Sequence, residues 1–135
     1  MSRHSLLKSV AIAACATLTA CDAQRIDVSD RASYANMLGQ TCEVNLSLQA
    51  TGWSKDIGRE RKTAEVSIWN PGFAGPEVTF VVMLQAGTYL TLLRARECVN
   101  CPFDRSPEYL VKVSPEPSEF SGVPAYMRAK EALIK

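Results

Sequence analysis

Residues 77–97 read EVTFVVMLQAGTYLTLLRARE, and the reading of this stretch decides the fold. Two runs rich in Val, Phe, Leu, Tyr and Thr flank Ala86-Gly87, where glycine at the second central position suits a type II turn or a bulged hairpin. The pattern predicts strands over 77–85 and 88–97 joined as a hairpin. With Gln85 opposite Thr88, one face brings Val78, Phe80, Val82 and Leu84 against Tyr89, Thr91, Leu93 and Ala95. The other face carries Val81 and Met83 with Leu90 and Leu92, while Glu77 and Thr79 oppose Arg96 and Arg94. Both faces are apolar near the turn, as expected of a sheet that curls over itself.

The same period of two continues outward. Cys42, Val44, Leu46, Leu48 and Ala50 alternate with Glu43, Asn45, Ser47 and Gln49, which predicts a half-buried strand. A charged connection over 51–62 leads to a second alternating run, 63–69, with Ala64, Val66 and Ile68 on one face. Residues 70–76, NPGFAGP, are dense in turn-forming types. Short strands over 109–113 and 123–127 follow, separated by a loop whose Pro115 and Pro117 exclude a helix. Near the start, Ser29 or Asp30 would cap a short helix with Tyr34, Met37 and Leu38 on its apolar side and Gly39 as its stop. Phe80, Val82, Leu93, Val44, Leu46, Val66 and Ile68 are the expected core.

Five or six short strands with a short N-terminal helix define a small all-β domain. Composition agrees: 135 residues, 47% apolar and 21% charged, fit one globular domain and exclude disorder or coiled coil. The stretch 78–93, with Leu84-Gln85-Ala86-Gly87-Thr88 at its centre, is similar to the hairpin of bacterial SH3-like barrels. That resemblance implies an SH3-like barrel, and an OB-like barrel is the alternative.

Residues 1–20 read as a targeting segment. Arg3, His4 and Lys8 precede the uncharged run 9–18, which is about half the 20 residues that a spanning helix needs. Leu18-Thr19-Ala20-Cys21 resembles the lipobox of bacterial prolipoproteins: an aliphatic residue, two small ones, then cysteine. The resemblance implies cleavage before Cys21 and thioether diacylation of its sulfur. Each buried CH₂ contributes about 0.8 kcal/mol, so two or three chains hold a protein at a membrane where one would not. Asp22 favours the inner membrane, with the outer membrane the alternative, and residues 21–30 read as a polar tether ahead of the domain at 31–135.

Removal of that segment changes the available chemistry. Arg3 and Lys8 leave with it, so thirteen basic side chains face fourteen acidic ones. This balance gives no reason to expect nucleic acid as partner. His4, the only histidine, leaves too. Without it there is no Ser-His-Asp triad, Cys-His pair or His-ligated metal. No carboxylate pair, base-activated nucleophile or phosphate-cradling glycine loop is visible. The sequence therefore reads as a non-enzymatic envelope protein without cofactor or metal, binding an envelope protein or cell-wall component.

Three cysteines remain besides Cys21: Cys42, Cys98 and Cys101. In an oxidising compartment a disulfide is expected; Cys98 with Cys101 is the nearer pairing, and Cys42 is the alternative partner of either. The Cys98-Val99-Asn100-Cys101 spacing also allows a thiol-redox protein, although redox sites place the first cysteine at a helix N-terminus and Pro102 follows here. The surface candidates are Trp53, Arg59, Arg61, Trp69 and Phe73. Lys55 to Lys62 form the single basic cluster, able to touch phosphate or anionic glycan with Trp53 as a stacking platform, or simply to be a solvated loop.

Overall fold

The structure is a computed structural model, and it describes residues 23–58, 60–69, 74–102 and 105–128. Cys21, Asp22, Arg59 and Phe73 lie outside the described residues, as does the targeting segment.

Eight strands among these residues join in one sheet: β1 (Gln24–Asp27), β2 (Thr41–Glu43), β3 (Leu48–Trp53), β4 (Glu65–Ile68), β5 (Val78–Leu84), β6 (Tyr89–Val99), β7 (Glu108–Ser114) and β8 (Ala125–Arg128). The sheet runs in the order β1-β6-β7-β8-β4-β3-β5, and β2 also pairs with β6. Every pairing is antiparallel except that of β4 with β8. The described residues are thus mostly β, with one α-helical turn at α1 (Ala32–Ala35) and a 3-10 turn at Ser118–Phe120.

The expected hairpin is absent. β5 pairs with β3 and the start of β6 pairs with β2, so both lie against the one segment 41–53. The register is the same on both sides of the joint: Glu43 faces Tyr89, and Leu48 faces Leu84, five residues further along each strand. Between them Val44 donates its N–H to the Thr88 carbonyl at 2.8 Å and accepts from the Gly87 N–H at 2.9 Å. Gly87, at φ +91°, therefore bends a long strand onward instead of reversing it. Alternation assigns faces but not partners, and here the partner of both halves is 41–53. Val81 faces Thr51 and Leu92 faces Val111. Thr79 meets Thr63 at 2.7 Å, and Arg96 bonds Glu65 and Glu108 rather than Glu77.

A bulge in β6 corrects the core as well. Leu92 faces Val111 and Arg94 faces Leu110, which leaves Leu93 as the extra residue. The inward set is consequently Leu90, Leu92 and Ala95, and Leu93 is 46% exposed. Leu46, on the joint between β2 and β3, is 69% exposed. Val44, Val66 and Ile68 are buried as expected, and Phe80 and Val82 pack against the core from its margin. Gly52 faces Phe80 across β3 and β5, and a Cβ there would overlap the Phe80 ring. Phe80 in turn stacks on Phe120 with centroids 6.1 Å apart.

The start of the domain differs too. Gln24–Asp27, read as tether, is β1 on the edge of β6, and Val28 behind it is 1% exposed. The helix is one turn because its expected cap is engaged elsewhere: Ser29 Oγ accepts from the Ala95 N–H at 2.9 Å, and Arg31 occupies the cap position without a side-chain bond. Gly39 ends the turn at φ +81°.

Candidate functional site

One face of the sheet is the apolar core; the other is polar, and the registers decide which residues share it. Gln49, Thr51 and Trp53 on β3 stand beside Ser67 and Glu65 on β4, then Tyr126 and Arg128 on β8, Glu108 and Leu110 on β7, and Arg94 and Arg96 on β6. Thr51 and Ser67 are buried despite being polar. Both are satisfied, because Gln49 Nε2 donates to Thr51 Oγ1 at 3.3 Å and Trp53 Nε1 donates to Ser67 Oγ at 3.1 Å.

An ion network fixes the middle of this face. Arg96 donates both terminal nitrogens to Glu65, at 3.0 Å each, and its Nε to Glu108 at 2.8 Å. Arg25 on β1 binds the same Glu108. The Arg96 guanidinium lies over the Tyr126 ring, 3.2 Å from its centroid, and its side chain is 13% exposed. Burial pulls the Arg96 pKa down, but the Glu65 and Glu108 carboxylates more than offset it, so the net shift is upward and the charge is retained. Such a bidentate, desolvated cluster costs much to break, because the surviving partners are left buried and unpaired.

Beside the network a cleft of about 490 Å³ holds both tryptophans of the chain, Trp53 and Trp69, with Arg25, Lys55, Ile57 and Glu77 among its walls. Trp69 is covered by the Arg128 guanidinium, 3.9 Å from its ring centroid. The cleft thus combines two indoles with flanking charges of both signs in a concave surface.

The surface candidates divide accordingly. Trp53 and Trp69 converge in the cleft, while Arg61 turns away and donates to the Pro76 carbonyl. From the basic loop, Lys55 and Ile57 line the cleft, and Lys55 is the only base among its described residues to do so. Sequence reading missed Arg25, which sat in the supposed tether, Glu77, which alternation placed opposite Arg96, and Glu108, which lies just ahead of the strand expected over 109–113. Ser67 was within reach, since it shares the polar side of its strand with Trp69.

Cys98 and Cys101 form a disulfide, with Cα atoms 5.8 Å apart, and Cys42 is free and half-buried. The bridge pins the end of β6, where Asn100 takes φ +63°, a conformation asparagine tolerates better than most residues. No helix starts at Cys98, so the helix dipole that acidifies redox cysteines is missing from this motif.

The chain was compared with protein families, with curated proteins and with solved structures, and none matches it.

Proposed function

We propose that the chain is a lipid-anchored protein of the bacterial envelope whose β domain is a non-enzymatic binding module facing the periplasm. The cleft between Trp53 and Trp69 is its binding site, and the convergence of both tryptophans in one cavity is the observation that carries this reading. The anchor rests on Leu18-Thr19-Ala20-Cys21. Only Asp22 and Ala23 separate Cys21 from β1, so lipid on Cys21 holds the domain against the bilayer surface, at the inner membrane if Asp22 is read there and otherwise at the outer. The partner is an envelope protein or cell-wall component.

The sheet supports a small barrel, SH3-like or OB-like in kind. Following the pairing from β2 through β6, β7, β8 and β4 leads to β3, which continues β2 in the same chain segment. A sheet whose pairing returns to its own first segment removes most of its free edges.

A photoreactive residue at Ile57, exposed on the cleft wall, tests the site in intact cells. It should capture an envelope component, and Trp53→Ala with Trp69→Ala should abolish the capture. Equal capture by the same probe at Ser121, remote from the cleft, would contradict the reading. Mass spectrometry of the mature protein should find a lipidated N-terminal Cys21; an unmodified Cys21 would remove the anchor.

A further inference from the structure

A second cleft, of about 230 Å³, lies beside the first and meets it at Arg25, which lines both. The first has the indoles among its walls and the second has Arg94, Leu110 and Tyr126. Most of the charges that line them are paired. Arg25 and Arg96 bind Glu108, Arg96 also binds Glu65, and Arg94 faces Asp27 at 3.9 Å. The Asp27 carboxyl is held below its usual pKa, first by hydrogen bonds from Ser29, so it keeps its charge opposite Arg94. Lys55 and Glu77 remain, one of each sign, and neither forms an ion pair among the described residues. Among the described residues of the two clefts an anion would find only Lys55 without an ion pair, opposed by Glu77 of the same cleft, and elsewhere it would compete with existing pairs.

We propose that the cleft of Trp53 and Trp69 takes a neutral oligosaccharide. The proposal rests on the cleft being the binding site. A pyranose ring presents C–H groups on its faces and hydroxyls at its rim, each hydroxyl both donor and acceptor. The faces suit indole rings. The rim suits a wall that alternates carboxylate acceptors with Lys and Arg donors. Trp53 already donates its indole N–H to Ser67, so it offers a ligand its ring and not its donor. Among the described bases of the loop that could favour an anion, Lys55 lines the cleft and Arg61 is held by the Pro76 carbonyl.

Calorimetric titration of the full chain with β-1,4-linked tetramers of N-acetylglucosamine and of glucose tests this, with a galacturonate tetramer as anionic counterpart. At least one neutral tetramer should bind, and its affinity should change less than about twofold between roughly 0.1 and 1 M salt, over which the screening length falls from about 10 to 3 Å. Galacturonate should bind at least about tenfold more weakly. Trp69→Ala should weaken the neutral tetramer by about tenfold or more, and Trp53→Phe, which keeps a ring but no N–H, should stay within about threefold, both with unchanged circular dichroism. Tighter binding of galacturonate, or affinity that falls steeply with salt, would overturn the neutral class; if Trp69→Ala still abolished that binding, the cleft reading would survive. Failure of both neutral tetramers would overturn the proposal, and the cleft would then be judged by capture at Ile57.

Discussion

Gly52 shows how one residue constrains the sheet. Its missing Cβ is the space that the Phe80 ring fills from the neighbouring strand. Gly52→Ala should therefore destabilise the fold by about 1–3 kcal/mol, as overpacking does, with no change in the cleft's own side chains. Urea denaturation would measure it, and a neutral effect would mean that Phe80 packs elsewhere. Tyr34 and Glu97 form the other informative contact. Tyr34 Oη donates to Glu97 Oε1 at 2.6 Å, and Arg31 pairs with the second oxygen at 2.6 Å. The bond to Glu97, with burial behind it, pushes the Tyr34 pKa up to about 12, and the same bond is the largest cause of the lowered Glu97 pKa. The stability it contributes is limited at both ends. On the alkaline side it is fully present below the ordinary tyrosine pKa and is lost as pH rises toward 12. On the acid side it is present above the ordinary glutamate pKa and is lost as pH falls through the depressed value. Urea midpoints followed against pH should lose stability along both limbs in the wild type and less steeply in Tyr34→Phe. Parallel profiles would show that the bond contributes nothing.

At the scale of elements, the strands were legible and their partners were not. The alternation over 63–69 and 109–113 gave β4 and β7 nearly in place, because a half-buried strand writes its faces into a period of two, whereas the run 42–50 fell across β2, the exposed joint at Leu46 and only the first half of β3. The hairpin failed for a physical reason: Ala86-Gly87 is compatible with a reversal and with a bend, and the choice is made by Val44, about forty residues away in sequence and hydrogen-bonded to both sides of the bend. Leu93 was misplaced because it shares the outer side of β6 with Tyr89, Leu90 and Leu92 being the buried pair, and the bulge at Leu93 then turns Ala95 into the core. The site suffered likewise. Trp53 and Trp69 could be named from the sequence, whereas Arg25, Glu77 and Glu108 join them only through the order of the strands. The disulfide belongs to this scale too. It closes a loop of a few residues at the end of β6, and the chain-entropy relation gives about 2 kcal/mol for so short a loop. Cys98→Ser with Cys101→Ser should lower stability by about that amount in thermal melts while capture at Ile57 persists. Loss of capture without loss of fold would instead favour a thiol-redox role.

For the whole molecule, the segment 41–53 is the organising feature. It pairs with β6 and β5 along one side and with β4 along the other, so the core closes around it and the polar face is assembled from strands distant in sequence. The Arg96 network spans that face from β1 to β4, and the cleft exists because Arg25 and Glu108 reach the neighbourhood of the two indoles. A true 77–97 hairpin would put Val81 opposite Leu92 and separate β6 from β2. Nuclear Overhauser spectroscopy of the isotope-labelled chain decides between these arrangements. Cross-strand contacts from Glu43 to Tyr89, from Leu48 to Leu84 and from Ser67 to Tyr126 are expected; backbone contacts between Val81 and Leu92, with the first two missing, would overturn this strand order.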